Sequence, residues 1–121
     1  MPSNKIYNAD AYITKSKKYI NDNIKKKLSI DEICQYINLS KFYFSRKFKE
    51  EVGVTPYRYI LDCKVEAVKT DLTRGVDINT IVSKYDFYDS SHLNKNFIKV
   101  YGITALEYQE SCKNKNKWIL F

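Results

Sequence analysis

Glycine, proline and histidine are all scarce in this sequence of 121 residues. Three glycines and two prolines leave few places for sharp turns, and the period-two alternation typical of strands is also absent, so the composition favours helices. The one histidine, His92, is better suited to packing or to contacting a phosphate than to general acid–base chemistry. We therefore expect a helical protein that is not an enzyme.

Cysteine and long apolar runs are equally limited. Cys34, Cys63 and Cys112 are odd in number and far apart, which favours reduced thiols in a cytoplasm over a disulfide framework. Together with one histidine they lack the close spacing of a zinc site. No Walker A or dinucleotide glycine pattern occurs, and no apolar run suits a secretory signal or a membrane-spanning helix. The sequence thus predicts a cytoplasmic protein with no metal, no cofactor and no membrane partner.

Positive charge, in contrast, is in excess. Lysine and arginine number 21 against 14 acidic residues, which gives a formal net charge of +7 at pH 7. Such a surplus favours polyanionic partners, nucleic acid before an acidic membrane surface. A lysine-rich surface that serves solubility alone is the other interpretation. The placement of the charges has to decide between them.

Helix start signals recur along the chain. Residues 29–32 form a capping box, Ser40 precedes another periodic stretch, and Thr55 places a cap before the first-turn proline Pro56. Gly53 suits the left-handed cap that ends a helix. Apolar periodicity predicts helices over about 10–24, 30–37, 41–52 and 56–72. Their stripes are predicted to include Ile13, Ser16, Ile20 and Ile24 in the first helix, and Tyr57, Leu61, Val65, Val68 and Leu72 in the fourth.

The pattern then returns. Ile78, Ile81, Val82 and Tyr85 repeat Ile30, Ile33, Cys34 and Ile37 at an offset of 48. Leu93, Phe97, Gly102, Thr104 and Tyr108 repeat Phe44, Phe48, Gly53, Thr55 and Tyr59 at an offset of 49. The chain therefore contains one unit twice, with an extra residue in the second turn around Tyr88 to Ser90.

A short helix, a tight turn and a longer helix make up each unit, which is the arrangement of a helix-turn-helix. We predict an all-α chain that fills residues 1–121 as a single domain. The first lobe covers about 10–54, the linker helix about 56–72, the second lobe about 77–111 and a tail 112–121. The apolar end of that tail, 118–121, is expected either to fray or to dock on the second lobe or on a partner.

The outward faces of the two longer helices carry the chemistry. At about 100° per residue, one side of the first such helix presents Phe42, Ser45, Arg46 and Lys49, opposite Phe44, Phe48 and Val52. The corresponding side in the second unit presents Ser90, Ser91, Asn94, Lys95 and Ile98, opposite Leu93, Phe97 and Val100. Arginine can fork onto guanine, asparagine onto adenine, serine onto either base, and an apolar side chain can meet the thymine methyl. A merely solvated helix face is the alternative interpretation of each side.

Lysines flank both faces and would neutralise phosphates, which adds affinity without sequence information. The candidates are Lys41, Lys47, Lys49, Lys84 and Lys99. If both faces read the same side of a duplex in successive major grooves, the linker helix must hold them about 34 Å apart.

Residues 39–49, followed by Gly53-Val54-Thr55-Pro56 and Tyr59-Ile60, resemble the first motif of the DNA-binding domain of AraC/XylS-type bacterial transcription activators. Residues 87–93, with Lys95, Phe97, Lys99, Gly102, Thr104 and Tyr108, are similar to that family's second motif. The resemblance covers about residues 10–110. It implies a homeodomain-like, all-α fold of about seven helices in two lobes, with one domain bound across two adjacent segments of the major groove.

The same resemblance implies that base reading falls to Phe42, Ser45 and Arg46 in the first motif and to Ser90, Ser91, Asn94 and Lys95 in the second. It further implies double-stranded DNA and RNA polymerase as partners and activation of transcription as the outcome. Nothing in the sequence resembles a sensory pocket, so we expect a fragment of a longer regulator, with any dimerisation supplied by a domain absent from this chain.

Several positions depart from the family pattern. Asp86 replaces a usual glycine, Lys64 and Lys95 replace arginines, Ile98 replaces a lysine, and Ala105 replaces a proline. We therefore expect the second motif to contribute less affinity or to read a more A/T-rich half-site. The rival from another class is a basic helical adaptor that binds protein or an acidic membrane surface, which a shallow salt dependence of DNA binding would favour.

Overall fold

The computed structural model describes the backbone of residues 2–119 and the side chains of residues 10–113. Within that backbone the chain forms seven α-helices and no strand, in agreement with the predicted fold class. They are α1 (Pro2–Asp22), α2 (Ile30–Ile37), α3 (Lys41–Val52), α4 (Pro56–Thr73), α5 (Ile78–Lys84), α6 (Ser90–Tyr101) and α7 (Ala105–Ile119). Across the described residues, none of these helices combines the length and the apolar character needed to span a bilayer.

The helices form two compact units, Met1–Ile60 and Leu61–Phe121, and the boundary falls inside α4. This division explains why Tyr57 is 59% exposed rather than buried as its place in the stripe predicted. The first turn of α4 belongs to the first unit, where Tyr59 packs edge-on against Phe48 and Ile60 is buried. Only from Leu61 onward does the predicted stripe face the second unit.

The first helix also differs from its predicted range of about 10–24. It begins at Pro2, earlier than predicted. Residues 2–9 are mostly polar and carry no apolar stripe, so periodicity could not reveal a helix there. It ends at Asp22, and the Asn23 amide nitrogen donates to the Tyr19 carbonyl at 2.8 Å, a local bond that competes with a further helical turn. Ile24 therefore lies beyond the helix and is only half-buried.

The first unit is built around the apolar sides of α1, α2 and α3. Ile13, Ile20, Ile33, Ile37, Phe44 and Phe48 are all buried. Ser29 caps α2 by accepting from Glu32 N, and Ser40 caps α3 by accepting from Tyr43 N. Satisfying these otherwise unpaired N–H groups fixes where each helix starts.

The second unit repeats this plan around α5, α6 and α7. Its core includes Leu61, Val65, Val68, Leu72, Ile81, Tyr85, Phe87, Leu93, Phe97 and Ala105. Val100, predicted to face this core, is 42% exposed. Tyr101, one residue further along the same turn, packs against Phe97 instead, with ring centroids 4.8 Å apart.

The apolar end of the tail, residues 118–121, was predicted either to fray or to dock on the second lobe or on a partner, and its side chains lie outside the described residues. The backbone of α7 continues as helix to Ile119.

A buried polar network ties α4 to α5 in the second unit. The Asp71 carboxylate accepts from the Tyr85 hydroxyl at 2.8 Å and from the Lys84 ammonium at 2.8 Å. Asp71 is 5% exposed and Tyr85 is 1% exposed. Near the same end of α4, the Gln109 amide nitrogen donates to the carbonyls of Leu72 and Val76, which joins α7 to the end of α4.

Two turn residues, Asn38 and Asp86, occupy the same left-handed backbone region at counterpart positions of the repeat, with φ of 60° and 57°. We expect Asn38→Gly to raise the free energy of unfolding by about 0.5 kcal/mol, because glycine has no Cβ penalty there. Asp86→Gly should gain less stability, because it also removes the carboxylate that attracts the ammonium of buried Lys64. Burial lowers the pKa of Lys64, whereas the negative charge of Asp86 raises it. Urea denaturation of both variants measures the difference, and equal gains would show that the Asp86 charge contributes nothing.

Candidate nucleic-acid interface

The turn between α2 and α3 fixes the orientation of α3. Asn38 ends α2 in the left-handed conformation, and its N–H donates to the Cys34 carbonyl. With Phe44 and Phe48 fully buried on one side of α3, the opposite side must face solvent.

That opposite side forms the α3 face, which we define as Phe42, Ser45, Arg46 and Lys49. The structure brings all four around one open groove of about 650 Å³, together with Lys41 and Thr55. Phe42 is 75% exposed, so its apolar ring is available to a partner. The Arg46 guanidinium lies 5.6 Å from the Phe42 ring centroid and 5.9 Å from that of Tyr43. Both distances lie within the range of a cation–π interaction, which favours this placement of the guanidinium by about 0.5–1 kcal/mol at an exposed site.

The flanking lysines of the first unit remain at the surface, each in a different setting. Lys41 lies 3.6 Å from the Asp31 carboxylate, and Lys47 lies 3.5 Å from that of Glu50. Exposed pairs of this kind contribute little, so a phosphate can replace the carboxylate partner. Lys49 is exposed and lines the groove.

The corresponding surface of the second unit is the α6 face, which we define as Ser90, Ser91, Asn94 and Lys95. Asp89 caps α6 by accepting from His92 N at 2.8 Å. His92 Nδ1 accepts from the Tyr88 N–H at 3.3 Å and so braces the turn. Ser90, Ser91 and Lys95 are exposed, whereas Asn94 is half-buried. Its amide oxygen accepts from the Ala105 N–H at 3.1 Å.

The two lysines proposed as phosphate contacts in the second unit have different surroundings. Lys99 is exposed in the last turn of α6. Lys84 instead pairs with the buried Asp71 at 2.8 Å. Because this carboxylate already balances its charge, Lys84 is better assigned to the fold than to a phosphate.

Catalytic chemistry finds little support among the described residues. No group of three or more histidine, cysteine and acidic side chains is arranged to hold a metal there. Burial raises the pKa of the Cys34 thiol, which keeps it protonated and a poor nucleophile at neutral pH.

Comparison with known proteins places the chain in a family. A family model described as a helix-turn-helix domain matches residues 33–111, a span that contains both turns, the α3 face and the α6 face. The chain belongs to the AraC family of helix-turn-helix domains. The predicted family is therefore confirmed.

Curated relatives of this AraC-type chain are regulators. It is 29% identical over 103 residues to the HTH-type transcriptional activator AarP of Providencia stuartii, covering 84% of this chain and 76% of AarP. It spans only 37% and 36% of the length of two other curated relatives, both described as transcription regulators or activators.

Solved AraC-type domains share the fold. A transcriptional regulator of Chromobacterium violaceum superposes with a TM-score of 0.78 at 23% identity, covering 85% of this chain and 93% of that one. The DNA-binding domain of AdpA, solved with a target DNA, superposes with a TM-score of 0.77 at 13% identity, covering 85% and 94%. At these identities the likeness establishes the fold.

Sequence patterns in this AraC-type domain did not locate the extra residue of the second turn exactly. Ser40 and Asp89 are both N-caps, and Leu39 and Phe87 are counterparts at the earlier offset, so the extra residue of the second turn is Tyr88. It is 90% exposed beside the start of α6. The change of offset from 48 to 49 was the signal, and it located the insertion only to within three residues.

Proposed function

We propose that this chain binds double-stranded DNA in a sequence-specific manner through the α3 face and the α6 face, and that it thereby activates bacterial transcription. The observation that carries the proposal is the repeat of one surface. Two capped helices at counterpart positions each bury an aromatic and apolar side and expose a polar, basic one. Phe42 and Arg46 are both exposed, so neither belongs to the buried core of the first unit.

Each face divides into base-reading and backbone-contacting residues. On the α3 face, Arg46 presents a fork suited to guanine, Ser45 a hydroxyl, and Phe42 an apolar surface suited to a thymine methyl. On the α6 face, Lys95 and the hydroxyls of Ser90 and Ser91 fill the same role. Lys41, Lys47, Lys49 and Lys99 supply phosphate contacts, which position the helices without reading sequence. These assignments draw on the exposure of each side chain and on family membership.

The partners of the whole regulator are a further part of the proposal. Two relatives are described as activators. Because an activator of transcription acts on RNA polymerase, RNA polymerase is the proposed partner. A domain outside this chain is the proposed source of dimerisation.

Selection of bound duplexes from a random library at near-physiological salt tests the central claim. The expected result is a bipartite motif with elements about 10 base pairs apart, as one helical turn requires. Binding that depends on salt but enriches no motif would overturn specific DNA binding. It would favour the basic helical adaptor.

Lys49 offers a test of the division between affinity and specificity. We expect Lys49→Ala to weaken binding by a similar factor for the selected duplex and for a scrambled one, because a phosphate contact carries no sequence information. The slope of log K against log salt should fall by about one. Titrations at several salt concentrations measure both quantities. Glu50→Ala, an exposed neighbour of opposite charge, is the control and should not reduce the slope. A loss confined to the selected duplex would instead make Lys49 a base reader.

A further inference from the structure

Three consecutive lysines, Lys25, Lys26 and Lys27, lie between α1 and α2, outside the α3 face and its flanking lysines. All three are exposed. The Lys26 N–H donates to the Asn23 carbonyl at 3.0 Å, so the run begins in a hydrogen-bonded turn. The first unit therefore presents three positive charges side by side just before the start of α2.

These charges have no counter-charge nearby. The acidic side chains that flank the run contact other residues: Asp22 lies 3.0 Å from Lys18, Asp31 lies 3.6 Å from Lys41, and Glu32 accepts from the Tyr19 hydroxyl at 2.6 Å. Among the side chains that the structure describes, no carboxylate lies within ion-pair distance of the run. Neighbouring like charges repel one another, and an anion bound among them relieves that repulsion.

The run also lies close to the start of α3, where the α3 face begins. Asp31, in the first turn of α2, is 3.6 Å from Lys41, which is the first residue of α3 and lines its groove. Asp31 follows Lys27 by four residues in the sequence, a stretch of chain that spans about 14 Å at most. The run is therefore about one major-groove width, roughly 12 Å, from the edge of the groove on α3.

We propose that Lys25, Lys26 and Lys27 form a phosphate-binding site for the DNA backbone that borders the major groove entered by α3. The inference rests on the proposed DNA binding. A helix with its side chains is about 10–12 Å across and fills a groove about 12 Å wide, so a phosphate backbone passes along each of its sides. In homeodomains, the loop before the two-helix motif contacts that backbone. The lysine run occupies the same place in the first unit.

The second unit has a weaker version of this site. At the offset of 48, the run corresponds to Thr73, Arg74 and Gly75, of which only Arg74 is charged, and Arg74 is exposed. Each phosphate neutralised adds about 0.9 to the slope of log K against log salt. The first unit should therefore supply up to about 2.7 of the slope from this turn and the second about 0.9, which makes the first element the more salt-dependent of the two.

A combined replacement of the three lysines by alanine tests the site. The slope for the selected duplex should fall by about two to three, whereas Arg74→Ala should lower it by no more than about one. Affinity for a scrambled duplex should fall by a similar factor, and the base preferences of both elements should not change, because a phosphate contact carries no sequence information. Replacing the same three lysines by arginine keeps the charge and should keep the slope.

The matched control removes the same charge from the same unit by a combined replacement, with alanine, of Lys15, Lys17 and Lys18. Lys17 lies 5.7 Å from the ring centroid of Tyr59, which packs against the buried Phe48. Because Phe48 is on the side of α3 opposite the α3 face, Lys17 is remote from the proposed backbone contact. The control should lower the slope by less than about one.

The outcomes separate this inference from the function on which it rests. A parent that selects no motif removes the proposed function and this inference with it. A parent that selects a motif, combined with equal changes in slope from the two triple variants, removes the inference alone and leaves the run as a solvated surface. Loss of binding to phosphatidylserine vesicles with an unchanged DNA slope would overturn it in favour of a membrane contact. If a triple variant failed to fold by circular dichroism, Lys26→Ala and Lys18→Ala would replace the two triple variants, with expected decreases in slope of about one and about zero.

Discussion

Replacing Asp71 with alanine is expected to lower the free energy of unfolding of the second unit by about 3 kcal/mol. The carboxylate is the common acceptor for the Tyr85 hydroxyl and the Lys84 ammonium, each at 2.8 Å. Without it, a hydroxyl on a side chain that is 1% exposed keeps at most its longer 3.4 Å contact with the Ala67 carbonyl. Lys84 is partly exposed and can turn to water, so most of the loss comes from Tyr85.

Urea denaturation followed by circular dichroism measures this loss. Glu66→Ala is the matched control, because Glu66 lies on the same helix but is exposed, and it should change the unfolding free energy by no more than about 0.5 kcal/mol. Tyr85→Phe should cost about 1 to 2 kcal/mol, since it removes the buried donor along with one of its bonds. If Asp71→Ala behaved like the Glu66 control, the network would have no role in holding α5 against α4.

The same network gives the second unit a dependence on alkaline pH. Burial, and then the hydrogen bond to Asp71, raise the pKa of Tyr85 above its ordinary value. A raised folded-state pKa means that the stabilisation is complete below the unfolded value, about 10, and is lost as the pH rises above it. Burial lowers the pKa of Lys64, so the contribution of Lys64 to stability rises with pH and opposes that of Tyr85. The contribution of Tyr85 is therefore the difference in the pH dependence of the unfolding free energy between the parent and Tyr85→Phe.

Helix positions could be predicted well from sequence because their signals are local. Ser29, Ser40 and Gly53 mark ends that hydrogen bonds within a few residues create, and the apolar stripes follow the helical period. Tyr57 and Val100 were misassigned for a different reason. Periodicity states which residues share a side of a helix, but the unit that covers that side decides which of them are buried, and α4 changes units at Ile60.

The candidate site, like the helices, could be predicted from sequence where it depends on local pattern, but not where it depends on tertiary packing. The exposure of Phe42 and Arg46 follows from the burial of Phe44 and Phe48, so sequence alone could predict it. The partners of Lys84 and Asn94 could not be predicted, because Asp71 and Ala105 are distant in sequence and come close only through packing. The departure of Ala105 from proline was visible in the sequence, but its consequence for Asn94 required the fold.

The variant expected to have the largest effect on DNA binding is Arg46→Ala. A bidentate arginine contact contributes about 1 to 3 kcal/mol of discrimination, so affinity for the selected duplex should fall by about 10-fold to 100-fold and the first element of the motif should lose its preference. Lys95→Ala, at the counterpart position, should cost less. A lysine ammonium is a point charge without a fork, and within the described residues no aromatic ring holds Lys95 as Phe42 and Tyr43 hold Arg46.

Arg46→Lys separates the contribution of the fork from that of the charge. Lysine keeps the positive charge, so the salt slope should match that of the parent, whereas the base preference of the first element should weaken nearly as far as in Arg46→Ala. Competitive titrations with duplexes altered in one element at a time measure both effects. Equal losses from Arg46→Ala and Lys95→Ala would contradict the expectation that the second motif contributes less. Full retention of base preference in Arg46→Lys would mean that charge alone, and not the guanidinium held over two aromatic rings, makes the contact.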